Sequence, residues 1–171
     1  MASGQYEGIV TIKADKKQSL KVIINVLDRT LPTPDKWKFD LDLWQHPAAI
    51  ARVHKVELWS DEHFEKMRPY YTMLANAGQK CITTSIMHEP WGHQTYDDFP
   101  SLIKWVKKKD GSWQYDYSLF DKYVSFVMSC GITKRINCYS MVPWKLSFQY
   151  YDENLSKNSE LVAKIGSDEY N

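Results

Sequence analysis

The stretch Lys38-Phe-Asp-Leu-Asp-Leu-Trp-Gln-His-Pro47 is the most informative part of the chain. Apolar residues alternate there with Asp40, Asp42 and Trp44, and a period of two residues predicts a β-strand. Asp42 and Trp44 therefore share one strand face, and an amide, an imidazole and a proline follow where the strand ends. A carboxylate, an indole and an imidazole are groups with which proteins bind polar rings such as sugars.

Two later segments, 82–91 and 136–144, are also strand-like runs that end in polar and aromatic side chains. In α/β barrels and open α/β sheets, the carboxyl ends of the strands carry the functional site. We therefore expect these three strand ends to converge on one binding site, with no catalytic residue assigned. The candidate substrate-binding residues are Asp42, Trp44, His88, Glu89, Trp91, Asn137, Tyr139 and Trp144.

Composition excludes several classes of protein. Twenty-two basic and 21 acidic side chains among 171 residues leave a net charge of +1, which does not favour nucleic acid or an anionic membrane. No apolar run approaches the roughly 18 residues of a membrane span. The 14% aromatic content, with seven Trp and 11 Tyr, fits either core packing or sugar-binding platforms.

The cysteines and the amino terminus are less decisive. Cys81, Cys130 and Cys138 are odd in number and have no C-x-x-C spacing, so we expect buried free thiols and neither a zinc site nor a redox site. Residues 1–4 lack the basic start and apolar stretch of a signal peptide. The sequence thus predicts an intracellular protein or one whose natural start lies upstream.

The order of elements predicts an α/β fold. Ser60 is a candidate helix N-cap, a helical apolar stripe follows, and Gly78 ends it; Ser118 and Gly131 bound a second helix in the same way. Strands over 38–44, 80–87 and 134–140 alternate with these helices. Such a βαβαβ run predicts parallel neighbouring strands with right-handed crossovers.

Hairpins are predicted elsewhere in the chain. Segments 8–13 and 20–27 are β-branched strands joined by a turn, and a lone hairpin of this kind is marginal in water. A second hairpin is expected around Asp110-Gly111, and segments 146–151 and 161–165 are expected to pair. The prolines of Asp28–Asp35 indicate a linker. We therefore expect a hairpin tail of a larger β-domain at 1–28 and a linker at 29–37.

Several separated motifs resemble bacterial proteins related to glycoside hydrolase family 123. These motifs are 39–47, 77–80, 88–95, 110–117 and 136–144. The resemblance implies a (β/α)8 catalytic barrel behind an N-terminal β-sandwich. The expected fold class is therefore α/β, a partial TIM-type barrel preceded by the last strands of a β-sandwich, with residues 38–171 as the first part of a truncated barrel.

The resemblance also implies an activity, that of a β-N-acetylgalactosaminidase. In that mechanism the substrate's own 2-acetamido group attacks the anomeric carbon, a Glu acts as acid/base, and the preceding Asp orients the acetamido group. The family's Asp-Glu pair ends a later barrel strand, whereas Asp61-Glu62, Asp152-Glu153 and Asp168-Glu169 follow no apolar strand. The implied partner is a glycan with N-acetylhexosamine, the implied location is periplasmic or secreted, and no cofactor is implied.

Three functional hypotheses remain open from the sequence. The first is an incomplete glycoside hydrolase that carries part of the substrate cleft. The second is a non-catalytic carbohydrate-binding or structural remnant, and the third is a complete small α/β enzyme that uses His88 and Glu89 as base and acid. Asp42 could instead form a structural salt bridge, because a mid-strand carboxylate needs a partner.

Three further expectations concern histidines and the sheet edges. The H-E-x-x-x-H spacing of His88, Glu89 and His93 differs from the helical H-E-x-x-H zinc motif, and Pro90 would break a helix, so no metal is expected. His54 and His63 have no partner pattern and are expected at the surface. Open sheet edges of a partial barrel predict self-association.

Overall fold

A computed structural model describes residues 1–170, and the chain divides into two compact units, Met1–Thr33 and Pro34–Asn171. The first unit is a hairpin in which β1 (Gly4–Lys13) pairs antiparallel with β2 (Lys17–Val26). Both strands are longer than predicted, because pairing extends from Lys13 opposite Lys17 to Gly4 opposite Val26. Nearly all of the side chains in this hairpin are exposed.

The second unit is a mixture of helices and strands. After a 3-10 turn at Pro34–Lys36, its elements are α1 (Pro47–His54), α2 (Asp61–Asn76), β3 (Cys81–Ser85), β4 (Lys104–Lys107), β5 (Trp113–Asp116), α3 (Ser118–Ser129), β6 (Arg135–Tyr139), β7 (Ser147–Asp152) and β8 (Lys157–Val162). None of the helices within residues 1–170 has the length and apolarity needed to cross a bilayer.

The core forms where α2 and α3 pack on one face of a parallel strand pair. β3 and β6 run parallel with Cys81 opposite Arg135 and Ser85 opposite Tyr139, which confirms the predicted relation of these two strands. Ile82 faces the two helices. The core residues are Phe64, Met67, Tyr71, Ile82, Leu102, Tyr123, Val124, Phe126, Val127, Cys130 and Ile132. The opposite face of the strand pair is therefore free to carry polar groups.

The predicted first strand, 38–44, is not a regular strand. It makes one parallel bridge, Leu41 with Gln79, and one hydrogen bond from the Lys80 N–H to the Leu41 carbonyl, 2.9 Å. The prediction was wrong on the hydrogen bonding, because side chains replace most of the ladder. The segment nevertheless lies beside β3 and runs parallel to it.

Two buried glutamines supply those side chains, and we call them the amide clamp, Gln45 and Gln79. The Gln79 side chain accepts from the Leu43 N–H at 2.9 Å and donates to the carbonyls of Leu43 and Cys81. The Gln45 side chain accepts from the Thr83 N–H at 2.7 Å and donates to the same two carbonyls. The clamp satisfies backbone groups that a regular ladder would otherwise pair.

The helices depart from prediction at two points, and one predicted cap is confirmed. Helix α1 was not predicted; it begins at Pro47, whose missing N–H costs nothing at a first helical position. The Ser60 cap of α2 is confirmed, with its Oγ accepting from the His63 N–H at 3.1 Å. Ser118 is not the cap of α3: Asp116 Oδ1 instead accepts from the Ser118 N–H at 2.9 Å.

Two burial predictions also need correction. His63 is fully buried, because α1 and the segment before α2 close over it. Cys81 and Cys130 are buried free thiols as predicted, and burial raises the pKa of both. Cys138 is exposed because β6 pairs with β3 alone among the described strands.

The remaining four strands form a second sheet in the order β5-β4-β7-β8. Its antiparallel hairpin of β4 with β5 is the one predicted around Asp110-Gly111, and β7 pairs antiparallel with β8 as predicted, although β8 begins at Lys157 where a strand over 161–165 was expected. A short parallel pairing of β4 with β7 joins them. The mixed α/β class is confirmed, whereas the partial barrel stays a prediction, because residues 1–170 form separate sheets.

Candidate functional site

Three aromatic rings meet at the carboxyl ends of β3 and β6, and we call them the aromatic edge: Trp44, Trp91 and Tyr139. Trp44 stacks on Trp91 with ring centroids 4.9 Å apart, and Tyr139 lies 5.2 Å from Trp44 and 4.9 Å from Trp91. Trp91 is buried, with Phe99 behind it at 4.6 Å, whereas Trp44 is 55% exposed. The edge is thus a supported aromatic surface with one ring open to solvent.

A polar pair lies beside these rings. Asn137 and Tyr139 alternate along β6 on the face that also receives Asp42 and Trp44. Asn137 Nδ2 donates to Asp42 Oδ2 at 2.9 Å. Asp42 Oδ1 is buried and has no hydrogen-bond partner among the described residues. The pair therefore places a carboxylate and an amide on the face of the aromatic edge, with the unpartnered Asp42 Oδ1 buried beneath it.

An arginine sets the charge at the other end of these strands. Arg135 donates to Asp40 at 2.8 Å, which holds the pKa of the Asp40 carboxyl below its usual range, and the same contact raises the pKa of Arg135. Arg135 Nη2 also lies 3.8 Å from Asp42 Oδ2. The structural salt bridge expected as one alternative for Asp42 is thus present, and a binding role for Asp42 stays a prediction.

Glu89 supports the loop that carries Trp91. One carboxylate oxygen accepts from the Phe99 N–H and the other from the His93 N–H at 2.8 Å. Its own N–H donates to the Phe99 carbonyl at 2.9 Å, and its side chain is only 5% exposed. Since both oxygens bind backbone donors, Glu89 is placed to hold the loop rather than to exchange protons with a substrate.

His88 and Trp144 lie outside the aromatic edge. His88 lines a cavity of about 360 Å³ together with the core residue Leu102 and with Trp105 and Tyr150 from the second sheet. The Trp144 N–H donates to the Pro90 carbonyl at 3.0 Å, and its indole is 66% exposed. No ring contact joins either side chain to the three rings within residues 1–170. The structure thus brings Asp42, Trp44, Trp91, Asn137 and Tyr139 together, with Glu89 behind them.

None of the Asp-Glu pairs that the structure describes reaches this site. Asp61 pairs with Lys122 at 2.8 Å, and Glu153 pairs with Lys108 at 2.7 Å. Asp152 Oδ1 accepts from the Asn154 N–H in the turn after β7. The pKa of Glu169 is lowered by hydrogen bonds within its own turn. These carboxylates have structural partners, as the sequence indicated.

Two supporting residues, Phe99 and Gln45, were not identified as part of the site from sequence. Phe99 lies in an irregular loop without periodicity, so no pattern marked it. Gln45 was noted at the strand end, but nothing in the sequence shows that its amide bonds the backbone of β3. For Gln45, the sequence signal was an uncharged polar side chain directly after a strand-like stretch.

Comparisons with known proteins agree on one family. The family model described as glycoside hydrolase 123, catalytic domain, matches residues 44–171. A similar solved structure is that of a family 123 glycoside hydrolase from Clostridium perfringens, determined in a study of glycolipid glycan hydrolysis, with a TM-score of 0.87 and 32% sequence identity. The match covers 99% of the present chain but 31% of the solved chain. The comparison with curated proteins gave no match.

Proposed function

The chain belongs to the family of glycoside hydrolase 123 catalytic domains, and from that premise we propose that its aromatic edge binds a glycan carrying an N-acetylhexosamine. The observation that supports this most directly is the supported stack of Trp44 and Trp91 at the carboxyl ends of the strands. Sites in α/β proteins assemble at those ends.

The chemistry of the aromatic edge suits a sugar ring. The exposed indole of Trp44 offers a flat apolar surface, and Trp91 and Tyr139 hold it in place from behind. The amide of Asn137, which donates to Asp42 Oδ2, adds a polar group beside this surface. An apolar platform with a few placed polar groups is the usual composition of a small-ligand site.

We further propose that this chain binds the glycan without hydrolysing it. No described Asp-Glu pair reaches the aromatic edge, and Glu89 is engaged by backbone donors. Loss of acid/base catalysis alone lowers a rate by roughly 10²–10⁴-fold. In a longer family member with the Asp-Glu pair in place, the substrate's acetamido group would act as nucleophile, the Glu as acid/base and the Asp as orienting residue.

Glycan binding is the first test. Titration of a β-N-acetylgalactosaminide-terminated oligosaccharide by calorimetry should show weak binding, and Trp44→Ala should weaken it about tenfold, the effect of one lost ring contact. Trp113→Ala is the matched control, because Trp113 is a partly exposed indole on the second sheet. Equal binding by the wild type and the Trp44→Ala variant would remove the aromatic edge from the proposal.

Hydrolysis is the second test. A chromogenic β-N-acetylgalactosaminide should release no product above background with this chain. If product is released, and Glu89→Gln or Asp42→Asn abolishes its release, the non-hydrolytic proposal is wrong. That result would support the alternative of a small complete enzyme with its acid or base on the loop after β3.

A further inference from the structure

We propose that Glu89, His93 and Asp98 form a binding site for a transition-metal ion, with Zn²⁺ as the best match. The three residues belong to the loop after β3, and one donor atom from each lies within 4.8 Å of the other two. His93 Nδ1 is 3.4 Å from Asp98 Oδ1 and 3.5 Å from Glu89 Oε2. The site is separate from the aromatic edge and does not depend on glycan binding.

The spacing of the donor atoms fits a tetrahedral ion. Zn²⁺ binds nitrogen and carboxylate oxygen at about 2.1 Å, so donor atoms at the corners of a tetrahedron are about 3.4 Å apart. Both distances to His93 Nδ1 match this value, and the donor atoms of Glu89 and Asp98 lie within 4.8 Å of each other. Three protein ligands of this kind leave the fourth position for water or for a further side chain.

The donor types and their surroundings also favour a dication. One imidazole and two carboxylates suit Zn²⁺ better than Ca²⁺, which prefers six to eight oxygens. Within residues 1–170, Glu89 and Asp98 form ion pairs with His93 alone, so no Lys or Arg neutralises the two carboxylates. The centroid of the His88 ring lies 6.0 Å from that of the His93 ring.

One of the three side chains, Glu89, is buried and held in place, and the other two are accessible to solvent. Glu89 is nine-tenths buried, and its carboxylate is oriented by the N–H groups of His93 and Phe99. Hydrogen bonds of this kind orient ligating carboxylates in metal sites. His93 is 49% exposed and Asp98 63% exposed, so an ion can enter from solvent. An ion held here would close the loop on which Trp91 is mounted.

Zinc uptake tests the proposal directly. The parent is Cys138→Ser, because the exposed thiol of Cys138 could itself bind zinc. Calorimetry with ZnCl₂ in neutral buffer should show one ion per chain. The substitutions His93→Ala and Asp98→Asn should each weaken binding on the order of 10–100-fold. His54→Ala is the matched control, since His54 lies on α1 and contacts Tyr70, and it should leave the affinity unchanged.

Cobalt supplies a second readout. Co²⁺ at the site should give the intense visible absorption of a tetrahedral complex and quench tryptophan fluorescence, because Trp91 lies between Glu89 and His93 in the loop. Both signals should be lost in Asp98→Asn, an exposed substitution whose fold can be checked by circular dichroism.

Two results would overturn the metal site. One is the absence of zinc uptake by the Cys138→Ser parent, which would leave the contacts of His93 with the two carboxylates as the account of the cluster. The other is unchanged affinity in both His93→Ala and Asp98→Asn. Neither result bears on glycan binding, which is measured without metal.

Discussion

His63 shows how far a single residue can depart from what its sequence context suggests. It is fully buried, its Nδ1 accepts from the Trp59 N–H at 3.1 Å, and its Nε2–H donates to the Pro47 carbonyl at 3.0 Å. These contacts define the neutral imidazole with its proton on Nε2, and they tie α2 to the start of α1. Burial lowers the pKa of His63.

The lowered pKa of His63 predicts a pH dependence of stability. The unfolded chain takes up a proton near about pH 6.5, while the folded chain resists it, so the contribution of His63 is present above that pH and is lost as the pH falls. Urea unfolding of the wild type between pH 7.5 and 5 should show this loss, with a slope of at most about 1.4 kcal/mol per pH unit for one proton.

The comparison that isolates His63 uses two variants. His63→Gln should flatten the pH dependence in that range, and His54→Gln, at a partly exposed imidazole on α1, should not. If both variants keep the wild-type slope, His63 is not the group responsible.

At the scale of elements, the amide clamp replaces the backbone hydrogen bonds that two paired strands would normally make. Segment 38–45 follows β3 in parallel, yet Gln45 and Gln79 provide most of its hydrogen bonds to that strand. Because the clamp fixes the segment between Asp42 and Trp44, it also positions two residues of the candidate site. Removal of either amide would leave buried backbone groups without partners.

Gln45→Leu should therefore destabilise the protein by about 1–3 kcal/mol, the effect of orphaning a buried backbone N–H at Thr83. Gln114→Leu, at an exposed position on β5, is the matched control and should change the free energy of unfolding little. Urea denaturation monitored by tryptophan fluorescence measures both. A Gln45→Leu variant as stable as the control would mean that the clamp carries no net stabilisation.

The elements that could be predicted are those with local signals. The hairpin of β4 and β5 is marked by Asp110-Gly111, and α2 is marked by Ser60 and an apolar stripe. Alternation over 38–44 identified the shared face of Asp42 and Trp44 correctly, because side-chain direction follows backbone extension. It could not reveal which groups bond the backbone, because that depends on Gln79, far along the chain.

Helix α1 was not predicted because the proline at its start, Pro47, is also typical of the end of a strand. Proline is common at the first helical position, and it also ends strands, so Pro47 after a strand-like stretch pointed to an end and not to a beginning. The site was predictable to the extent that strand ends converge: Asp42, Trp44, Trp91, Asn137 and Tyr139 do meet. His88 and Glu89 do not join these five residues. The backbone turns at Glu89, which has a left-handed conformation with φ 49°.

At the scale of the whole molecule, the apolar face of the strand pair extends beyond its helices. Ile136 shares the face of Ile82 and is 42% exposed, and Phe39 and Leu43 in the neighbouring segment are 68% and 50% exposed. Among the described strands, β6 pairs with β3 alone. An open edge beside apolar side chains invites association.

We therefore expect the chain to self-associate in solution. Light scattering over a concentration series should show oligomers or aggregates, and Ile136→Lys should reduce them, because a charge on an edge strand opposes pairing. Thr133→Lys, before β6, is a control for the added charge alone. A monodisperse monomer with a sharp, high melting transition would contradict this expectation and would mean that these surfaces are compatible with an independent fold.

The parallel pairing of β3 with β6 also has a consequence for how the chain folds. Between the two strands lie an excursion through β4 and β5 and the whole of α3, so the pair cannot form until a long loop has closed. The entropic cost of closing such a loop rises with the logarithm of its length, and folding rates fall as contacts become more distant in sequence. The helix contact of Tyr71 with Tyr123 spans the same excursion. Folding should therefore be slow. We expect the helix pair and the strand pair to form together in the rate-limiting step.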